Sequence, residues 1–147
     1  MLAKSQKSDI VDIVVYWKFH DYVEGGQNPI DNWYTNDLSD AGRFAFDALL
    51  KEKSKTANHL EWGLKPLKGE ARKLHIWELK FKADSREYRV LVILRAAKES
   101  VLLVGCYHKG EVYAPPNALD TAIKRAKALR EKKPGVTTSE RQVKFDR

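Results

Sequence analysis

The sequence predicts an α+β fold, an antiparallel β-sheet in the order β-α-α-β-β-β-α with helices packed on one side. Three observations carry this reading. Residues 74–109 hold three apolar, β-branched-rich segments separated by short polar breaks at 83–87 and 96–100, which is the pattern of an antiparallel meander. Before them, Ala41, Phe44, Ala45, Ala48 and Leu49 fall on one helical stripe. After them, Leu119, Ala122, Ile123, Ala126 and Leu129 form another.

Each element has its own signal. Residues 10–19, IVDIVVYWKF, read as a first strand because β-branched and aromatic side chains favour a pleated surface. Residues 21–29, with Gly25-Gly26 and Asn28-Pro29, have the chemistry of a loop. Asn28 or Asp31 caps a short helix running through Leu38, and Ser39 caps a second, so the two form a helical hairpin. Residues 56–70, which bear lysine and glycine and contain Pro66, read as an irregular, exposed connection. After the meander, GEVYAPPN breaks the sheet, since its prolines cannot donate to a ladder. Pro116 and Asn117 open the last helix. Lys124, Arg125, Lys127, Arg130, Lys132 and Lys133 load that helix and its end with positive charge, and Pro134-Gly135 terminates it. The domain is expected to span residues 1–133, with 134–147 a flexible tail that is polar and without periodicity.

Composition narrows the class. A chain of 147 residues that is 43% hydrophobic can bury one core, so one domain is expected. No apolar stretch approaches the roughly 20 residues of a membrane span, and no N-terminal segment has the build of a secretory signal. The single Cys106 excludes an intramolecular disulfide and fits a reducing compartment. A soluble, cytoplasmic protein is expected. Charge is uneven: residues 1–62 carry 7 basic and 10 acidic side chains, net −3, whereas residues 63–147 carry 20 and 10, net +10. A basic half that contains the meander points to a polyanionic partner, nucleic acid first and an acidic protein second.

The four histidines, His20, His59, His75 and His108, have no zinc-type spacing, and neither a phosphate-cradling glycine loop nor a serine nucleophile elbow is present. No metal and no cofactor is expected, so any chemistry rests on side chains. Arg89 interrupts the apolar strand EYRVLVIL, and a cation there is either paired, with Glu78 on the neighbouring strand as one partner, or faces a site. His108 and Lys109 end the third meander strand, while Lys65, Lys68, Arg72, Lys73 and His75 precede or open the first. Strand direction sets these two groups at opposite ends of the meander. Alternation puts Arg89, Leu91, Ile93 and Arg95 on one face and Tyr88, Val90, Val92 and Leu94 on the other.

The segments GLKPLKGEARKLHIWELKF, EYRVLVIL and VLLVGCYHKGEVYAPPNALDTAIKRAKAL, in this order over residues 64–130, resemble the RelE/ParE superfamily of type II toxins, in particular its phage-derived HigB-type branch. The resemblance implies a RelE-like fold and a ribosome-dependent mRNA endoribonuclease, or mRNA interferase. Such a protein has the ribosome and mRNA as partners and is neutralised by a small antitoxin, in some cases a helix-turn-helix protein. It implies Arg89 at the scissile phosphate, His108 and Lys109 as the basic pair ending the last strand, and Lys65, Lys68, Arg72 and Lys73 facing RNA. One departure is that GEVYAPP follows Lys109, with Ala114 where the family usually has threonine. Cleavage by attack of a ribose 2′-hydroxyl requires proton transfer and cations for the developing charge. His108 suits the former, since histidine is the side chain that exchanges protons near neutral pH, while Arg89 and Lys109 suit the latter. Tyr113, like Tyr107, is either a base-stacking ring or a packing residue. The same fold also accommodates a non-catalytic interaction domain or a ParE-like gyrase inhibitor.

Overall fold

The computed structural model describes residues 16–56, 62, 67–95 and 98–143. They form strand β1 (Lys18–Glu24), helices α1 (Pro29–Asn36), α2 (Asp40–Ser54) and α3 (Glu70–Lys73), strands β2 (Ile76–Ala83), β3 (Arg86–Arg95), β4 (Glu99–Lys109) and β5 (Val112–Ala114), helix α4 (Ala118–Arg130) and strand β6 (Val136–Arg141).

Local chemistry sets the helical hairpin. The Asn28 side chain accepts from the Asp31 amide at 2.9 Å, and Pro29 sits in the first turn, where its missing N–H leaves no bond unmade. Ser39 accepts from the Gly42 amide at 3.0 Å and starts α2. The meander forms as its pattern predicts. Ile76 to Ala83 pair antiparallel with Ile93 to Arg86, and β3 pairs with β4 from Glu87↔His108 to Arg95↔Glu99. Asp84 and Ser85 join β2 to β3 with φ of 54° and 61°, the left-handed pair that a type I′ hairpin turn needs. A bulge at Leu91/Val92 leaves Leu103 outside the β3–β4 register, and Arg125 of α4 donates to its carbonyl at 2.6 Å.

The sheet order is β2-β3-β4-β1-β6, with β5 also paired to β4. Three sequence expectations change here. First, the sheet is mixed, because β1 runs parallel to β4 from Lys18↔Glu99 to Asp21↔Leu102; the helical hairpin and two meander strands separate them in the chain, long enough for a crossover. Second, β1 begins late and runs through residues expected to form a loop, while residues 10–15 of the expected strand lie outside the described residues. Third, the expected flexible tail forms β6 over Val136–Arg141, antiparallel to β1 from Phe19↔Arg141 to Glu24↔Val136. One ion-pair cluster accounts for the second and third. Asp21 is only 4% exposed, and Arg141 Nε lies 2.9 and 3.1 Å from its two carboxylate oxygens. Arg141 Nη2 reaches Asp31 at 2.9 Å, and Asn28 donates to Asp21 at 3.0 Å. Paired this way, a buried carboxylate is tolerated inside a strand.

Two apolar clusters lie on the sheet's alternate faces. Phe19, Leu79, Phe81, Tyr88, Val90, Val92 and Leu102 pack with Ile30, Trp33, Phe46 and Leu50 of α1 and α2. Tyr22, Ile76, Leu91, Val101, Leu103, Val104 and Cys106 pack with Ala71 of α3 and Ala118, Ala122 and Ala126 of α4. Packing of helices on one side thus describes the α1–α2 hairpin, and α4 with α3 lies against the other face. In α4 the contact stripe is alanine, which brings the helix close to the sheet. Both faces of the meander's centre are therefore covered, and its polar side chains lie toward its ends, Arg95 with Glu99 at one and Arg89, Glu87 and His108 at the other.

Candidate functional site

Strand alternation and register sort the polar side chains of the meander. Glu78, Lys80 and Lys82 of β2, Glu87 and Arg89 of β3, Cys106 and His108 of β4 and Tyr113 of β5 share the α4 side of the sheet, since Lys80 pairs with Arg89, Lys82 with Glu87, Glu87 with His108 and His108 with Tyr113. β5, unforeseen in the sequence, is what brings Tyr113 there. The Gly110 turn (φ 68°) folds the chain back so that Val112–Ala114 pair with the end of β4.

Glu78 is the hub. Its Oε1 lies 3.2 Å from Arg89 Nε, the two side chains being 11% and 8% exposed. This is charge contact without an aligned hydrogen bond, for Nε has no hydrogen-bond acceptor. The rest of the guanidinium is satisfied: Nη1 donates to the Tyr88 carbonyl at 3.1 Å and Nη2 to Glu87 Oε1 at 3.2 Å. Glu78 Oε2 accepts from the Tyr113 hydroxyl at 2.5 Å and lies 3.9 Å from His108 Nε2. The Tyr113 ring meets the imidazole edge-on, centroids 4.9 Å apart.

The electrostatics follow from these contacts. The hydrogen bond from Arg89 holds the Glu87 carboxyl below the usual range, aided by the charge of Lys82. Burial, then the hydrogen bond to Glu78, pushes the Tyr113 phenol upward. Burial pushes the Cys106 thiol up to about 12, with the Glu78 charge adding to it. Cys106 is a neutral packing residue here. Lys80, Lys82 and Lys109 are exposed.

The structure thus brings together Arg89, His108 and Tyr113, and it does so through Glu78. Arg89 takes the paired alternative of the two read from its sequence context. Lys109 is next to His108 in sequence, but alternation turns it to the α1 side with Tyr107. Lys68, Arg72 and Lys73 are exposed and lie at the other end of the meander, near Ile76, which pairs with Ile93, itself the partner of Val101. Six residues of strand, about 20 Å, separate them from the His108 end. Lys65 lies outside the described residues. Sequence reasoning passed over Lys80 and Lys82. The alternation in WELKFK, which sets Glu78, Lys80 and Lys82 on one face, was the signal that finds them.

Among the described residues, no group of three or more His, Cys, Asp or Glu side chains is placed to hold a metal ion. No helix among them is long and apolar enough to cross a membrane. No curated protein and no solved structure matches the chain. A family model does match, over residues 36–127, from the end of α1 through the whole meander and into the last turn of α4. On that match the chain belongs to the phage-derived Gp49-like family (DUF891), a family associated with the toxins of toxin–antitoxin systems.

Proposed function

We propose that this chain is the toxin of a type II toxin–antitoxin pair, a HigB-type protein with a RelE-like fold that cleaves translated mRNA on the ribosome in the cytoplasm and is neutralised by a small antitoxin. The observation that carries this reading is the His108 constellation: an imidazole at a strand end, against the Tyr113 ring and 3.9 Å from the Glu78 carboxylate, on the same face as the exposed cations Lys80 and Lys82. Cleavage by a 2′-hydroxyl needs a group to take its proton as the oxygen attacks phosphorus, and a proton for the departing 5′-oxygen. His108 takes the first and, once protonated, can deliver the second. Lys80 and Lys82, on the face of His108, supply positive charge for the phosphorane, while Lys109, turned to the other face, meets the RNA backbone as it passes the strand end. Arg89 has its charge engaged by Glu78 and Glu87, so it acts as a positioning residue that holds Glu78 in reach of His108. Lys68, Arg72 and Lys73 belong in this reading to a second basic area that meets RNA backbone away from the scissile bond, and Lys65 is a further RNA contact. The antitoxin covers the basic face with acidic or apolar segments.

The test is induced expression of the wild-type chain and of His108→Ala, with cellular mRNA 5′ ends mapped. We expect growth arrest with new ends inside translated frames, and a fall in cutting of about 10²–10⁴-fold in the variant. Cutting that survives His108→Ala unchanged refutes the assignment. The engagement of Arg89 by carboxylates favours a second reading, a non-catalytic interaction domain or a gyrase inhibitor of the same fold. Arrest without new mRNA ends, and with DNA damage, would select the gyrase form.

A further inference from the structure

On the face of the meander opposite His108, a cleft of about 490 Å³ opens between the C-terminal end of α1 and the corner made by β3, β4 and β5. Pockets that hold small ligands span roughly 300–1,000 Å³. The floor is fixed by close packing. Trp33 lies so near the β4 backbone that a Cβ on Gly105 would stand 2.1 Å from its ring, and Tyr107 packs edge-on against Tyr88, centroids 6.0 Å apart. Over this floor, the exposed Arg86 sets its guanidinium 4.3 Å from the centre of the Tyr107 ring. Arg89 has carboxylates as partners, whereas Arg86 lies over an aromatic face. Asn36, Asp37 and Pro115 are also part of the lining.

We propose that this cleft binds a single unpaired nucleobase, guanine in preference, from the RNA strand whose phosphate reaches His108. This rests on the RNA-cleaving reading above and adds a second contact to it. A guanidinium next to an aromatic ring is a platform on which a flat π-system stacks, with the cation attracted to it. Asp37 is an acceptor-only side chain and Asn36 offers an acceptor and two donors. Guanine presents two adjacent N–H donors on its pairing edge, which matches a carboxylate, whereas adenine presents a donor beside an acceptor. Position favours one ligand spanning both sites. Tyr107 and His108 are consecutive residues on opposite faces at the end of β4, so a single-stranded RNA passing that end of the sheet meets both.

The experiment reads the cleft without reading cleavage. The full chain carrying His108→Ala is titrated with GMP, AMP and ribose 5-phosphate, and the NMR signals of the Trp33 indole and the Gly105 amide are followed. GMP is expected to move both signals and to bind more tightly than AMP, while ribose 5-phosphate leaves them in place. Arg86→Ala, at an exposed site, should weaken GMP about tenfold. Asp37→Asn should keep base binding and lose the preference for guanine. Equal responses to GMP and ribose 5-phosphate, or GMP binding unchanged in Arg86→Ala, would overturn the proposal. So would a response to N-acetyltryptophanamide with none to GMP, which would make the cleft a protein-docking site. Failure of the nuclease reading appears elsewhere, as absence of new mRNA ends, and leaves these titrations interpretable.

Discussion

Removing the Arg89 guanidinium while Glu78 remains should destabilise the fold severely, and the size of the effect follows from burial. In Arg89→Met, the Glu78 carboxylate stays 11% exposed and loses the cation 3.2 Å from Oε1. Breaking a buried pair in this way costs about 3–5 kcal/mol. Tyr113 still donates to Oε2, which puts the estimate at the lower end, about 3 kcal/mol. The Glu87 contact adds little, because that carboxylate is more than half exposed. With a urea m-value of about 2 kcal/mol/M, the midpoint falls by about 1.5 M. The double variant Glu78→Met/Arg89→Met removes both buried charges and takes a side-chain partner from the Tyr113 hydroxyl and the Tyr88 carbonyl, so it should return to within about 2 kcal/mol of wild type. Urea denaturation of all four members of the cycle, followed by tryptophan fluorescence, measures the coupling. If Arg89→Met shifts the midpoint by less than about 0.3 M, or if the double variant loses the sum of the single losses, the buried-pair account is wrong. The result bears on function: loss of activity in an Arg89 variant identifies a phosphate contact only if the variant is folded.

Other expectations are equally direct. Gly105→Ala forces a methyl group into the Trp33 ring and should cost about 1–3 kcal/mol or more, lowering the melting temperature by about 3–10 °C; an unchanged melting temperature would contradict the packing. A chain ending at Gly135 strips β6 from β1 and leaves Asp21 without Arg141, so it should lose about 3–5 kcal/mol in urea denaturation, while equality with the full chain would restore the flexible-tail expectation. Burial pushes Cys106 up to about 12 from an ordinary value near 9.0, and burial with a hydrogen bond to Asp47 pushes Tyr34 up to about 12 from 10.0. In the unfolded chain these groups ionise first, so it binds fewer protons than the folded one. Stability from these groups is therefore full below about pH 9 and falls as pH rises toward 12. A denaturation midpoint that stays flat from pH 9 to 11 would contradict it. Consistently, Cys106 should resist thiol reagents at pH 8 until urea unfolds the chain.

What the sequence determined by itself was whatever short-range chemistry decides. The caps at Asn28 and Ser39 need only an amide three residues on. The meander follows from alternation and short polar breaks, so its parity was readable: Tyr88, Val90 and Val92 face one cluster and Leu91 the other. The same parity put Arg89 within reach of Glu78. Tertiary structure alone decided the rest. β6 is a polar strand whose anchor, Arg141, finds Asp21 from 120 residues away, and no local pattern encodes that contact. The parallel seam of β1 with β4 joins segments some 80 residues apart. Tyr113 reaches Glu78 only because β5 folds back on β4, and the cleft at Arg86 exists only where the end of α1 meets that corner. Local propensity specifies which residues can be strand or helix. Which charges face each other depends on long-range pairing, and the candidate site is made of such pairings.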